Sequence, residues 1–335
     1  MHKTNTAEGE ERMEELNQET TVQTSSAPKE KGAKRKTLRK RPRSGSWQLY
    51  VMIAVPIAFI ILFSYVPMAG IRLAFVEKFY VKKGIWGSPW GGLKWFKEMM
   101  LIPDIWQIIG NTLAIACMKV FIGFPIPVIV SLLLNEMHSK WQKKTIQTLI
   151  YLPYFLSWVV LGNIIFQMFG SQGSVTLLFA RMGIKLDVFT NGNQFVTMIV
   201  ASDLWKGFGF STVVYLASLT NIDKGLYEAA EIDGAGRFKQ TIHITIPGIM
   251  PIVMLNAILN LGNVLNAGFE QILVLYNPFV YDKAEIIDTI VYKMGILQNQ
   301  EELSTAIGLT KGLINAVLVI GVNVVSTKVT DYRVF

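Results

Sequence analysis

DKGLYEAAEIDGAGRFKQTIHITIPGIMP, residues 223–251, is a polar interlude between two strongly apolar stretches, and its internal order decides how the chain reads. Asp223 is a good N-cap, offering a carboxylate to the free backbone N–H groups of a helix that begins near Lys224, and Glu228 adds acid close to the positive end of the dipole. Leu226, Ala229, Ala230 and the apolar part of Tyr227 supply one packing face. Gly234 can take the left-handed conformation that ends a helix, after which 237–246 starts a second short helix at an angle. The predicted element is two short helices with a glycine elbow, closed by Pro247 and Pro251. The alanine pair leaves little side-chain bulk, so the first helix could lie in a groove of another protein. A purely structural amphipathic loop is the alternative.

On either side of this loop the chain is apolar. Hydrophobic residues make up 51% of the 335 positions and charged ones 17%, well under the roughly 25% of a soluble domain, and mean hydropathy is +0.37. Stretches of about 20 apolar residues can cross the hydrocarbon core as helices. Six are expected, at 49–68, 108–137, 146–169, 195–220, 249–267 and 309–326. The fold class is therefore all-α, a polytopic membrane bundle of six transmembrane helices over 47–335, with the loop 221–251 on one side. The first stretch has too long a polar lead for a secretory leader and reads as an uncleaved helix.

Residues 1–46 are polar, rich in Glu, Gln, Thr, Ser and Lys, and read as a disordered basic tail. Nine Lys and Arg between Lys29 and Arg43 precede the first apolar run, part of a net charge of +8. A basic run can also signal nucleic acid, but no aromatic platform or recognition-helix pattern accompanies it. With the tail cytoplasmic, basic residues beside the spans outnumber those opposite, which predicts both termini inside. Attachment to an anionic leaflet gains about 1 kcal/mol per basic residue. Pro56, Pro125, Pro127, Pro153, Gly207 and Gly209 interrupt several spans. Each reads either as ordinary kinking or as part of a bundle whose helices move.

Glu228-Ala229-Ala230, Asp233-Gly234-Ala235, Phe238, Ile242, Ile246, Pro247 and Pro251 together resemble the coupling motif of bacterial ABC-importer permeases. Trp205-Lys206-Gly207 with Phe210, and Ala217-Ser218-Leu219, resemble the carbohydrate-uptake branch that includes maltose and glycerol-phosphate permeases. Tyr276-Asn277-Pro278 and Asp288-Thr289 resemble the oligosaccharide and polysaccharide permeases of Gram-positive bacteria. Asp223 departs from the proline of many relatives, though both residues favour a helix start. The resemblance covers about residues 50–335. It implies that the alanine pair and Gly234 form a coupling helix docked in a cleft of a separate ATPase, with Glu228 and Asp233 available for polar contacts. It also implies a homologous second permease, two ATPase copies, an extracellular solute-binding lipoprotein, an oligosaccharide substrate and a place in the bacterial plasma membrane. ATP and Mg would belong to the ATPase, with no cofactor in this chain.

No G-x-x-x-x-G-K-[ST] phosphate loop occurs in the sequence, so the chain offers no nucleotide cradle of that kind. Three scattered histidines and the single Cys117 give no metal or redox setting and no triad can be named, so no enzyme is expected. Asn256, Asn260, Asn263 and Asn266 fall on one helical stripe, either as glue between helices or as a sugar-facing surface. Asp203 and Lys206, three residues apart, read as a locally neutralised pair or as part of a pathway. Trp205 reads as a stacking platform or as packing, and Tyr215 joins the same span. Lys311 and Asn315, one turn apart, either share a cavity or Lys311 snorkels outward. A self-sufficient secondary transporter or channel is the alternative class, but its discriminating inverted repeat is not visible. A membrane-anchored scaffold is a third.

Overall fold

The computed structural model describes residues 46–262 and 265–330. The expected tail and Asn263 therefore lie outside the described residues. Two units separate, Met1–Phe63 and Ser64–Phe335. In the first, helix α1 (Ser46–Ile60) carries Pro56 internally, and its large apolar side chains are exposed. In the second, α2 (Ile105–Gly123) and α3 (Pro125–Asn135) meet at Phe124. Proline suits the first turn of a helix because its missing N–H has no intrahelical partner there. Beyond lie α4 (Lys140–Tyr151), α5 (Trp158–Phe169) and the 28-residue α7 (Gly192–Leu219), with α6 (Ser174–Arg181) between the last two. The chain continues through α8 (Lys224–Ile232), α9 (Arg237–Gln240), α10 (Ile246–Gly262), α11 (Phe269–Leu275), α12 (Ile287–Tyr292) and α13 (Glu301–Thr330). Among the described residues no strand forms beyond one isolated bridge, Val76 with Trp90.

Three runs are long and apolar enough to cross a membrane: Tyr50–Phe75, Ile105–Asn135 and Glu301–Gly321. They fall on the first, second and sixth expected spans. The third, 146–169, is not one straight helix, because the segments Lys140–Phe155 and Trp158–Arg181 are bent by 99° to each other. Pro153, in the 3-10 turn Leu152–Phe155, has no N–H for the helical ladder. Ser157 then starts a new helix by accepting from the Val160 N–H at 3.3 Å. Counted as one span, this pair makes four. The fourth expected stretch is a long helix whose apolar character is diluted by Asp203, Lys206 and several hydroxyls, and α10 has 17 residues, just short of the usual crossing length.

Helix α7 is the hub, packing against α2, α3, α4 and α10. Its Phe195 and Ile199 are fully buried with Ile115, Leu161 and Ile272 in the main core, and its Leu216 and Leu219 close on Leu134 and Ile249. Contrary to the expected interruption, Gly207 and Gly209 lie within an unbroken helix. Gly209 serves close packing instead: a Cβ there would stand 1.9 Å from the Ile150 carbonyl oxygen at the end of α4. Tyr154 stacks on Phe210 at 4.2 Å beside this contact, so the sharp bend is held onto the hub by backbone approach and ring packing.

Gly209→Ala should force α7 and α4 apart, at a cost of about 1–3 kcal/mol. Thermal unfolding in detergent should show a lowered midpoint, whereas Gly207→Ala, with nothing within 4 Å of its Cβ position, should not.

Candidate functional site

Intramembrane ionisable groups need partners because lipid supplies none, and the structure pairs them between elements. Lys119 of α2, with its side chain 9% exposed, sits 3.2 Å from Asp203 of α7 and donates to Gln271 Oε1 of α11 at 2.6 Å. The other end of that amide donates to the Ile199 carbonyl and to Ser202 Oγ, each at 2.8 Å. Asp203 thus pairs with Lys119, not with Lys206 as the sequence spacing suggests. The reason is reach: Lys206 Nζ lies over the Trp158 ring, 4.8 Å from its centroid. A lone lysine within the apolar run 108–137 was the available sign of this pair, and its partner was not deducible from one helix. Asp288 is a second group that side-chain reasoning missed. It accepts from Lys311 through both carboxylate oxygens, at 2.5 and 2.6 Å, which rules out the outward-snorkelling reading of that lysine.

Two polar cavities adjoin these pairs. The larger, about 980 Å³, is lined by Trp158, Asn266, Phe269, Glu270, Asp288, Tyr292, Lys311 and Asn315. The smaller, about 260 Å³, is lined by Lys119, Asp203, Tyr215, Asn260 and Asn266 among others. Asn266 and Gly268 border both. The structure therefore brings Asn266, Lys311 and Asn315 to one cavity, and Tyr215 and Asn260 to the other. Asn256 is hydrogen-bonded to Tyr215, so this member of the stripe links α10 to α7. Trp205 does not join them; it borders an apolar cavity of about 550 Å³ with Leu161, Met198 and Phe169.

The polar loop has the expected helix and elbow. Asp223 caps α8 by accepting from the Gly225 N–H at 2.9 Å, and Gly234 has φ +74°. There the Ala235 N–H donates to the Ala230 carbonyl at 2.8 Å, closing the helix end as left-handed glycine caps do. The second helix differs from expectation. The segment after α9 widens into a π-turn at Thr241–Thr245 and runs directly into α10, so Pro247 and Pro251 do not close it. Pro247 lies in the first turn after the widening, where the irregular ladder accommodates its missing N–H. Tyr227 and Thr245 hydroxyls bond at 2.9 Å, while Arg237 reaches Glu136 at 3.3 Å and His138 at 3.1 Å. The loop is thereby tied to α10 and to the turn after α3. Glu228, Ala229, Asp233, Gly234 and Phe238 are exposed, and Ala230 and Ala235 half-buried. Ile232 is 87% exposed and Phe238 77%.

Residues 123–331 match the family described as "Binding-protein-dependent transport system inner membrane component". The chain is 36% identical over 289 residues to Protein LplB of Bacillus subtilis (strain 168), covering 86% of this chain and 91% of that one. It is 37% identical over 289 residues to the polygalacturonan/rhamnogalacturonan transport system permease protein YteP of the same organism, covering 86% and 90%. Among solved structures, a chain from a bacterial ABC transporter involved in the import of the acidic polysaccharide alginate superposes with a TM-score of 0.79 at 31% identity, covering 86% of this chain and 98% of that one. Since the family match takes in the glycine-elbow loop and the helices from α3 to α13, this chain belongs to the family of binding-protein-dependent transport system inner membrane components.

Proposed function

We propose that this chain is the permease subunit of an ATP-driven ABC importer of an oligosaccharide, and that α8 is its coupling helix. The observation that carries the reading is the exposed α8 with its Gly234 elbow, continuous through α9 and the wide turn with a helix that lines a polar cavity. Glu228, Ala229, Ala230, Asp233, Gly234, Ala235 and Phe238 make up the docking surface for an ATPase. Exposed Ile232 and Phe238 supply apolar area that a partner cleft would cover, the usual meaning of such side chains on a polar surface. ATP and Mg are bound and used by that partner, as this sequence contains no phosphate loop.

The full assembly in this reading contains a homologous second permease, two copies of the ATPase and an extracellular solute-binding protein. The relatives support the substrate class: YteP is described as transporting polygalacturonan and rhamnogalacturonan. One alginate transporter was solved with a pentasaccharide-bound periplasmic protein, which supports the binding-protein partner. Within the spans, Tyr215, Asn256, Asn260, Asn266, Lys311 and Asn315 form this chain's part of the sugar pathway. Asn263 is assigned to the same stripe by spacing alone, and Lys206 contributes through its seat on Trp158. In this reading the chain crosses the membrane six times with both termini cytoplasmic, which puts the loop on the ATPase side.

Mild-detergent purification of the tagged chain should recover an ATPase and a second permease; recovery of folded chain alone would favour a secondary transporter. Gly234→Val places a branched residue at φ +74°, a strain of about 1–2 kcal/mol. Uptake should fall relative to ATP hydrolysis in reconstituted vesicles while membrane insertion is retained, and normal coupled transport would sink the coupling role. Asn260→Leu should lower uptake roughly fivefold, the loss of a hydrogen bond of about 1 kcal/mol, with the ATPase still co-purifying.

A further inference from the structure

We infer that the segment joining the first two apolar runs is a headgroup-binding lobe, which holds anionic phospholipid at the outer face of the membrane through Arg72, Lys82, Lys83 and Trp86. The importer reading above enters only in placing this lobe outside, since it keeps both termini cytoplasmic. Residues 78–97 contain five lysines and three tryptophans with no Asp or Glu, and Glu77 and Glu98 bracket them. Basic residues on the outer side run against the usual orientation bias, so five within one short segment need a local reason. None of these lysines, nor Arg72, is ion-paired among the described residues. Tryptophan with lysine is the composition of a membrane–water interface, where amphipathic rings sit at headgroup level and cations meet anionic lipid.

The fold lays this segment back along the end of the first run instead of raising it into water. Val76 pairs with Trp90 in an antiparallel bridge, directly after the run Tyr50–Phe75 ends. Trp90 stacks on Phe75 with centroids 5.5 Å apart, and the Trp95 ring N–H donates to the Val76 carbonyl at 2.7 Å. Gly91 permits this closure, because a Cβ there would stand 2.6 Å from the Glu77 Cα. At the far end of the hairpin Trp86 returns to Arg72, which lies within the run itself. The Arg72 guanidinium is 4.9 Å from the Trp86 ring centroid, and its Nη2 donates to the Trp86 carbonyl at 3.2 Å. Arg72 Nε has no hydrogen-bond partner among the described residues. The turn between is tied down: the Lys83 and Gly84 N–H groups both donate to the Tyr80 carbonyl, and Ser88 Oγ donates to the Gly84 carbonyl at 2.9 Å. It presents Val81, 83% exposed, and exposed Trp86 beside exposed Lys82 and Lys83. A tip held at the level of Arg72 meets headgroups before any soluble protein, and phosphate supplies the acceptors that Arg72 and the lysines lack.

A fluorophore on Val81→Cys, in a Cys117→Ala background, reads the lobe directly. The labelled complex is placed in phosphatidylcholine nanodiscs with trace spin-labelled phosphatidylglycerol or, separately, trace spin-labelled phosphatidylcholine, the nitroxide lying near the headgroup in both. Phosphatidylglycerol should quench the label at least roughly fivefold more efficiently, the gain from one lysine at an anionic surface. The ratio should fall in about 1 M salt, where charges are screened within ~3 Å, and Lys82→Gln with Lys83→Gln, both at exposed positions, should lower it toward unity. Equal quenching by the two lipids, or a ratio that the double substitution leaves unchanged, overturns the inference. Quenching by neither overturns it too, and a label then open to aqueous iodide leaves the tip to a soluble protein. On intact cells a membrane-impermeant maleimide should reach Val81→Cys. Reaction confined to inverted vesicles counts against the importer topology instead, and the nanodisc ratio, read with both faces exposed, still decides lipid binding.

Discussion

The contact between Lys119, Asp203 and Gln271 is the constraint on which the interior arrangement depends. A lysine with so little exposure on an apolar helix requires a counter-charge and further acceptors, since isolated burial of an ammonium is prohibitive. The two partners come from different elements, α7 and α11, so satisfying one cation fixes three segments at once. Gln271 is fully buried, and its amide reaches back to Ile199 and Ser202 on the hub helix. Gly268, with φ +92°, starts α11 where a Cβ would collide with Lys119 Nζ. The polar cavities open beside this knot because the same residues that satisfy the charge keep apolar side chains out.

From that knot outward, the helices supply a mechanical route to the polar loop. Asn256 on α10 bonds Tyr215 on α7, and a few turns earlier Thr245 bonds Tyr227 on α8. The intervening wide turn, Thr241–Thr245, is a place where a helix changes register at low cost, and such turns recur at functional positions. Arg237 adds a second tie to the end of α3 through Glu136. A displacement of α8 is therefore transmitted to α3 and α10 together, and α10 carries the amides that face the smaller cavity. Rigid segments joined at a few polar contacts thus connect the loop to the cavity-lining helices.

The first helix of the loop and its glycine elbow were legible from local chemistry alone, whereas the wide turn after α9 was not. An Asp cap, an alanine pair and a glycine at the one position with φ above zero act within a single turn of chain, so their spacing is enough to predict them. The long apolar helices were legible for a similar reason. What sequence could not provide was any pairing between elements. Asp203 sits three residues from Lys206 and looks self-neutralised, but tertiary packing offered it Lys119, and Lys206 took an aromatic face. Trp205 read as a sugar platform or as packing, and its place beside Leu161 and Met198 favours packing. The 99° bend between Phe155 and Trp158 was also out of reach, because the nearby Pro153 permits a kink without setting its angle. The close approach of α7 to the end of α4 at Gly209, where a Cβ would stand 1.9 Å from the Ile150 carbonyl oxygen, lies in two segments at once, and no reading of either segment by itself includes the other.

Exposure of apolar side chains carries two meanings in this molecule, and the surroundings distinguish them. On α3 and α13, Leu133, Leu313, Val317 and Ile320 are exposed along faces whose neighbours are also apolar, as expected where the solvent is lipid. On the loop, Ile232 and Phe238 are exposed between Glu228, Glu231, Asp233, Arg237 and Lys239. A surface with that charge density cannot sit within hydrocarbon, since each such group at the centre of a bilayer costs at least about 2.5–3.5 kcal/mol. The two apolar side chains therefore face either water or protein, and burial of each against a partner would gain roughly 1.5–3 kcal/mol. The same physics that drives the apolar helices into the membrane thus leaves this loop with apolar area outside the membrane, available to a partner.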